Sequence, residues 1–83
     1  MSSGYFETVR LADGVSVEAR VAPDRTYRLA LNRRGRLLVE FWNEGVVVHH
    51  HRRGDRLAAY EFRSIEQLRY DFERDAEDAL ARD

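Results

Sequence analysis

Four glycines that each close a short triplet constrain this chain more than any other feature of its sequence. They close the mostly polar triplets Ala12-Asp13-Gly14, Arg33-Arg34-Gly35, Asn43-Glu44-Gly45 and Arg52-Arg53-Gly54. Because glycine adopts positive φ without steric cost, such triplets between β-branched and aromatic segments are typical of β-hairpin loops. A rhythm of roughly ten residues is too short for solenoid repeats and predicts an antiparallel meander.

The segments between these loops have the composition of strands. One of them alternates Val15, Val17, Ala19 and Val21 with polar residues, which predicts one buried face and one solvated face. A turn is expected at Pro23-Asp24. The expected strands are Tyr5 to Leu11, Val15 to Ala22, Thr26 to Asn32, Arg36 to Trp42, Val46 to His51 and Arg56 to Phe62. Five or six antiparallel strands are therefore predicted.

At Ser64 the apolar period changes from two to that of a helix. Ser64 and Gln67 form a capping-box pattern, and the apolar residues that follow recur at helical spacing, which predicts a helix over about 64–82. The chain has 83 residues and no internal boundary, so a single domain, 1–83, is expected. The predicted fold class is α+β, a meander with one C-terminal amphipathic helix packed on one face.

Hairpin registers decide which side chains face this helix. A three-residue loop at 33–35 would set Leu31 opposite Leu37, and Tyr27 opposite Phe41, all on the helix side. This register gives a continuous apolar surface across two neighbouring strands. The helix is expected to cover it, together with apolar residues of the last strand.

The hairpin after Trp42 has two registers that place opposite sets of histidines on the helix side. A three-residue loop at 43–45 would turn His49 and His51 toward the helix, whereas a loop of two or four residues turns His50 there. Because burying an unpaired polar ring costs about 1 to 3 kcal/mol, the second register is expected. His49 and His51 then lie beside Trp42 on the face away from the helix.

The composition narrows the class of function. The chain has no cysteine, which excludes disulfides and thiolate zinc sites, and its formal net charge of -1 argues against a uniformly basic nucleic-acid binder. No segment has the apolar length of a signal peptide or a membrane span, so a cytoplasmic location is expected. No catalytic triad and no phosphate-binding glycine loop is found, so neither an enzyme nor a cofactor is predicted.

The stretch VVVHHHRRGD invites two further interpretations. His49 and His51 could hold zinc or iron together with a carboxylate from Glu40 or Glu61. The alternative is that both histidines are solvated strand residues or interface contacts, and we therefore predict no metal site. The Arg-Gly-Asp tripeptide at 53–55 is explained by the hairpin rhythm without an adhesion role.

The sheet face away from the helix is a candidate for binding a partner. An apolar patch rimmed by polar groups usually marks a protein-binding surface, and Trp is typical of its energetic centre. A single helix cannot cover both faces, so this patch is expected to bind another protein or a second copy of the chain, with partial cover by Tyr5 to Leu11 as the alternative. Its expected members are Leu38, Trp42, Val47, His49, His51 and Leu57.

Charge is distributed unevenly along the chain. Alternate loops of a meander lie at the same end of the sheet, so the arginines beside two of these loops are expected to cluster there. A cluster of arginines can bind phosphates or an acidic protein surface. The arginines expected at this end are Arg33, Arg34, Arg36, Arg52, Arg53 and Arg56. Residues 64–83 carry seven acids against three arginines. The acids in the C-terminal half of the predicted helix are Asp75, Glu77 and Asp78. They either neutralise the arginines of the hairpin loops or form an exposed acidic face, and both alternatives stay open.

The segment AYEFRSIEQL, residues 59–68, joins an aromatic-bearing last strand to a capped helix. With the order of strands before helix, it resembles the end of a small phage anti-CRISPR protein of the type I systems. The resemblance implies a non-enzymatic inhibitor that binds a CRISPR surveillance complex and blocks its access to target DNA. No functional residue carries over, because the shared letters are cap and core positions.

The expected function is therefore a non-enzymatic protein-interaction module. Its most specific form is a phage or mobile-element inhibitor of a bacterial defence complex. A small nucleic-acid-binding regulator that uses the arginine tips is the alternative from another class. A metal enzyme that uses the two histidines ranks third.

Overall fold

The computed structural model describes residues 4–82, and the remaining residues of the predicted domain 1–83 lie outside that range. It shows six strands followed by one α-helix, with a single 3-10 turn at Ala12–Gly14 between the first two strands, and each strand pairs antiparallel with the next in sequence. The α+β meander with a C-terminal helix is thereby confirmed. The elements are β1 (Tyr5–Arg10), β2 (Val15–Val21), β3 (Tyr27–Arg33), β4 (Arg36–Glu44), β5 (Val48–Arg53), β6 (Arg56–Ala59) and α1 (Ile65–Arg82).

The strand bounds differ from the predicted ones mainly in the last hairpin. β5 begins at Val48, two residues later than predicted, and β6 ends at Ala59, three residues earlier. Tyr60 and Phe62 follow the end of β6 and still pack against the core. This extended segment leads the chain from the sheet edge to the start of α1.

The core lies between the middle strands and α1, on what we call the inner face of the sheet; the opposite side is the outer face. Leu68, Phe72 and Ala76 are spaced four residues apart, which puts them on one stripe of α1 facing the sheet. The stripe packs on buried side chains that come mostly from β3 and β4. These strand residues are Val15, Tyr27, Leu29, Leu31, Val39 and Phe41.

The start of α1 uses half of the predicted capping box. The backbone N–H of Gln67 donates to the Ser64 hydroxyl at 3.0 Å, as expected of an N-cap serine. The Gln67 side chain instead donates forward to Asp71 at 2.9 Å. The helix therefore begins where the sequence predicted, with a one-sided cap.

The β3–β4 hairpin has a different register from the predicted one. Leu31 pairs with Val39 and not with Leu37, because a two-residue turn at Arg34 and Gly35 is followed by one additional residue on β4. Both turn residues have positive φ, 52° and 82°, as a type I′ hairpin turn requires. The inner face keeps the predicted leucines of β3, but they meet different partners on β4.

A β-bulge in β4 accounts for this shift. Asn32 pairs with Leu37 and Leu31 pairs with Val39, so Leu38 is the additional residue on the β4 side. Leu38 packs against the core, which corrects its predicted place on the outer face. A bulge of this kind leaves no periodic signal in the sequence.

Candidate functional site

His49 and His51 lie on the inner face, so the predicted register of this hairpin is wrong. β4 and β5 are joined by a three-residue loop, 45–47, and His50 is the residue opposite Trp42. Because directly opposed residues share a face, His50 lies on the outer face and its two neighbours point toward α1. The expected contact surface of Trp42 with His49 and His51 is therefore not formed.

His49 is half-buried with both ring nitrogens in contact with polar atoms. Its ring stacks on Phe62 with centroids 4.9 Å apart, its Nδ1 is 2.9 Å from the Tyr27 hydroxyl, and its Nε2 is 3.2 Å from the Val46 carbonyl oxygen. The tautomer protonated on Nε2 satisfies both contacts, with the Tyr27 hydroxyl donating to Nδ1. Burial raises the pKa of Tyr27 to about 12, which keeps that hydroxyl protonated. The cost expected for an unpaired ring is thereby avoided.

His51 lies among the aromatic rings between β4 and α1. Its ring centroid is 5.0 Å from that of Phe41 and 5.8 Å from that of Tyr60. Its Nδ1 is buried without a hydrogen bond, 3.8 Å from a carboxylate oxygen of Asp75. His51 is thus a half-buried residue at the edge of the aromatic cluster, on the inner face and not on the predicted contact surface.

The carboxylates considered as metal ligands are not near these histidines. Glu40 lies on the outer face, where Arg28 Nε donates to it at 2.6 Å. Glu61 is exposed and pairs with Arg63 at 3.3 Å. Within residues 4–82, no group of three or more metal-ligating side chains is arranged to hold an ion.

The outer face carries a charged network where an apolar patch was expected. Arg28 lies between Glu18 and Glu40, with nitrogen–oxygen distances of 2.5 and 2.6 Å. Beside this network the guanidinium carbon of Arg52 lies 5.6 Å from the centre of the Trp42 ring. These groups satisfy one another, so the middle of the outer face is occupied by paired charge, and the exposed apolar side chains of Phe6 and Leu57 lie apart on the edge strands.

The apolar residues predicted for that patch are dispersed. Val47 lies in the β4–β5 loop and is 81% exposed, and Leu38 belongs to the core side. Leu57 does lie on the outer face, opposite Arg52, but on the edge strand β6. The predicted patch therefore reduces to Trp42 and Leu57.

The arginine-bearing turns share one end of the sheet, as predicted, but their side chains diverge. Arg52 points over Trp42 on the outer face, whereas Arg53 points to α1 on the inner face. The guanidinium of Arg33 lies 4.0 Å from Asp13. The other arginines of this end, all exposed, are Arg34, Arg36 and Arg56. The six guanidiniums therefore do not form the single cluster that was predicted.

Arginines of the chain itself neutralise two of the three acids in the C-terminal half of α1. Arg53 lies 2.5 Å from Asp78 and 3.9 Å from Asp75, and Arg82 contacts Asp78 at 3.1 Å. The hydrogen bonds from Arg53 and then Arg82 hold the pKa of Asp78 below its usual value. Glu77 is exposed on the other flank of α1. The two alternatives left open by the sequence therefore apply to different residues.

The flank of α1 that carries these aspartates is tied to the sheet along its length. Asp71 accepts a hydrogen bond from the Tyr60 hydroxyl at 2.6 Å. Burial, and then the bond to Asp71, raises the pKa of Tyr60. Asp71, Asp75 and Asp78 follow one another at helical spacing, so we call them the aspartate row.

The opposite flank of α1 borders a groove that sequence reasoning missed. Six strands spaced about 4.8 Å apart make a sheet roughly 24 Å wide, whereas a helix with its side chains is about 10 Å across. α1 lies over β4, so the inner face of β1 stays exposed and that of β2 is only partly covered beyond Val15. The signal for the groove was this difference in width, because one helix is too narrow to cover the whole inner face of six strands.

The groove has an apolar floor, an acidic rim and a volume of about 390 Å³. Its apolar floor includes Val9, Leu11, Val17, Ala19 and Leu80. Its rim consists of Glu7 on β1 and, along α1, Arg69, Glu73 and Glu77. Leu11 is 54% exposed and Val9 39% exposed, so water covers apolar surface that a partner would bury.

The helix itself shows no membrane-spanning character. α1 carries acids on both flanks, and across residues 4–82 no helix is both long and apolar enough to cross a membrane.

A comparison of the chain with protein-family models, with curated proteins and with solved structures finds no match in any of the three.

Proposed function

We propose that this protein is a non-enzymatic protein-interaction module that binds its partner in the groove between β1, β2 and α1. The observation that carries the proposal is the incompletely covered inner face of β1 and β2, an apolar floor with a charged rim. Such a surface gains free energy when covered, at about 25 cal/mol per Å² of apolar area removed from water. The ionisable residues that line the groove are carboxylates and one arginine, without a histidine or hydroxyl nucleophile.

The specific form of this function is an inhibitor, encoded by a phage or mobile element, that acts in the bacterial cytoplasm on a defence complex. The resemblance of residues 59–68 to a type I anti-CRISPR protein supports it. Those residues form the end of β6, the following segment and the first turn of α1, so they build the fold and do not line the floor of the groove. The contact with a CRISPR surveillance complex would then run through the groove, where Glu77 lies.

Two exposed leucines allow a matched test of this site. Leu11 lines the groove and is 54% exposed, whereas Leu57 lies on the outer face and is 57% exposed. A photo-crosslinking amino acid placed at Leu11 is expected to capture one discrete partner in cells of the source organism, and the same residue at Leu57 is not. Mass spectrometry of the adducts checks this. Equal capture from both positions, or capture from Leu57 alone, would reject the groove as the binding site.

A second candidate, nucleic-acid binding, is favoured by the exposed Arg34, Arg36 and Arg56 at one end of the sheet. Binding to phosphates should weaken with salt, with a slope of log K against log salt near -0.9 for each phosphate neutralised on duplex DNA. Arg34→Gln with Arg56→Gln should make that slope less steep by about 2, as measured by fluorescence anisotropy with a short DNA duplex. Arg20→Gln with Arg74→Gln, away from this end, is the control. No binding at low salt would eliminate this function.

A further inference from the structure

The groove has the dimensions of a second helix. Helices that pack side by side have axes about 8 to 10 Å apart, and two strand spacings amount to about 9.6 Å. A helix packed beside α1, which lies over β4, would therefore lie over β2. The residues of α1 that line the groove run from Arg69 to Leu80, a length of about 16 Å at 1.5 Å per residue, or three turns.

The rim of the groove has the charge that attracts a basic segment. Glu73 and Glu77 are one turn apart on α1, and Glu7 lies across the groove on β1, with Arg69 as the single basic residue of the rim. For these three glutamates no ion pair is formed within residues 4–82, in contrast to the aspartate row. A helix in the groove would thus have carboxylates on both sides, open to lysine or arginine.

A second copy of the chain does not match this rim. In a two-fold dimer each groove would face the same groove of its partner, because an isologous interface uses one patch on both subunits. The three glutamates of each copy would then approach those of the other, and like charges at an interface are unfavourable. Charge complementarity therefore favours a different protein that supplies the basic residues.

We infer that the groove binds a basic amphipathic helix of another protein, about three turns long, that lies alongside α1. Its apolar stripe covers the floor between Val9 and Leu80, and its lysines or arginines reach Glu7, Glu73 and Glu77. This inference rests on the proposed function and adds the chemical class of the partner. It assigns Glu73 and Glu77 the role of selecting that partner by charge.

Defined peptides test the inference with the intact chain. The probe is a fluorescent peptide of about fourteen residues made of leucine and lysine, with the leucines on one helical stripe. The comparison peptides have glutamate or glutamine in place of lysine, or the same leucines and lysines in scrambled order. Fluorescence anisotropy at low salt should show the basic amphipathic peptide binding at least tenfold tighter than the other three. Binding should weaken several-fold at roughly 0.15 M salt, where charges are screened beyond about 8 Å.

Charge reversals then locate the contact. Glu73→Lys with Glu77→Lys should weaken binding of the basic peptide at least tenfold, and the glutamate peptide should gain affinity. The matched control, Glu61→Lys with Glu66→Lys, makes the same change of charge outside the groove and should alter binding less than about twofold, since screening limits distant charges. Carbodiimide coupling provides an independent readout in the unaltered chain: peptide lysines should couple to Glu73 or Glu77 and not to Glu66.

The outcomes separate this inference from the proposed function. If the glutamine peptide binds as tightly as the basic one and the reversal at Glu73 and Glu77 has no effect, the basic partner is overturned while the groove remains a binding site. Binding of the scrambled peptide with equal affinity would overturn the helical occupant. A dimer in sedimentation that dissociates on reversal of Glu73 and Glu77 would assign the groove to a second copy. Absence of binding by all four peptides overturns the inference, and the Leu11 crosslink then decides the proposed function.

Discussion

Replacement of Phe41 with alanine is expected to lower the free energy of unfolding by about 3 to 5 kcal/mol. The Phe41 ring is 1% exposed, and its centroid lies 5.0 Å from those of His51 and Tyr60 and 6.0 Å from that of Phe72. Truncation would leave a cavity at the point where β4, β5 and α1 meet. Domains of this size are stable by only about 5 kcal/mol or somewhat more, so the variant should retain little stability and unfold at much lower urea concentration and temperature.

Urea unfolding followed by circular dichroism measures this loss. Phe41→Leu is the control, because it keeps an apolar side chain in the same place and should cost clearly less, about 1.5 kcal/mol. A loss below about 1 kcal/mol for Phe41→Ala would fall outside the range for buried aromatic residues. It would contradict the placement of Phe41 at the centre of the core.

Replacement of Asn43 with alanine is expected to cost about 2 kcal/mol, although the residue lies near the end of a strand. The Asn43 side chain is 9% exposed; its Oδ1 accepts from the Tyr27 backbone N–H at 2.8 Å, and its Nδ2 donates to the Arg25 carbonyl at 3.0 Å. Alanine would leave the buried N–H of Tyr27 without a partner, and an unsatisfied buried donor costs about 1 to 3 kcal/mol.

The control for this substitution is a second asparagine of the sheet. Asn32 is half-buried on the outer face of β3, and no side-chain hydrogen bond is found for it within residues 4–82. Asn32→Ala should change stability by no more than about 0.5 kcal/mol. Equal midpoints of thermal unfolding for the two variants would show that the bonds from Asn43 to Arg25 and Tyr27, where β2 connects to β3, do not contribute to stability.

Local signals in the sequence predicted the elements of the fold. Gly35 and Gly54 mark hairpin turns at positive φ, and the Ser64 hydroxyl caps α1 at the predicted residue. Such signals depend on neighbouring residues alone. The order of strands then follows, because short turns can join only adjacent antiparallel strands.

Side-chain placement on the two faces was harder to predict, because it depends on partners distant in sequence. His49 could be buried only because the Tyr27 hydroxyl and the Phe62 ring meet it there. An unpaired His49 ring would indeed be costly to bury, but the hydroxyl that pairs with it belongs to another strand and cannot be identified from neighbouring residues. The bulge at Leu38 similarly has no local signature.

The candidate site was missed for a geometric reason. Periodicity shows that a strand has an apolar side, but it does not show how much of that side one helix can cover. Val9 and Leu11 were visible as apolar residues of the first strand, and Glu73 and Glu77 as acids of the helix. Only the position of α1 over β4 brings these two sets to the borders of one groove.

The aspartate row also determines how rigid the groove is before a ligand arrives. Asp71 accepts a hydrogen bond from the Tyr60 hydroxyl, and Asp78 accepts one from Arg53. These two bonds hold the flank of α1 opposite the groove, one in the first half of the helix and one near its C-terminal end. Because α1 is already held in position, it loses little conformational freedom when a partner binds in the groove, and preorganisation of this kind favours affinity. Variation in Arg53 or Tyr60 could therefore tune how tightly a ligand is held while leaving every residue that touches it unchanged.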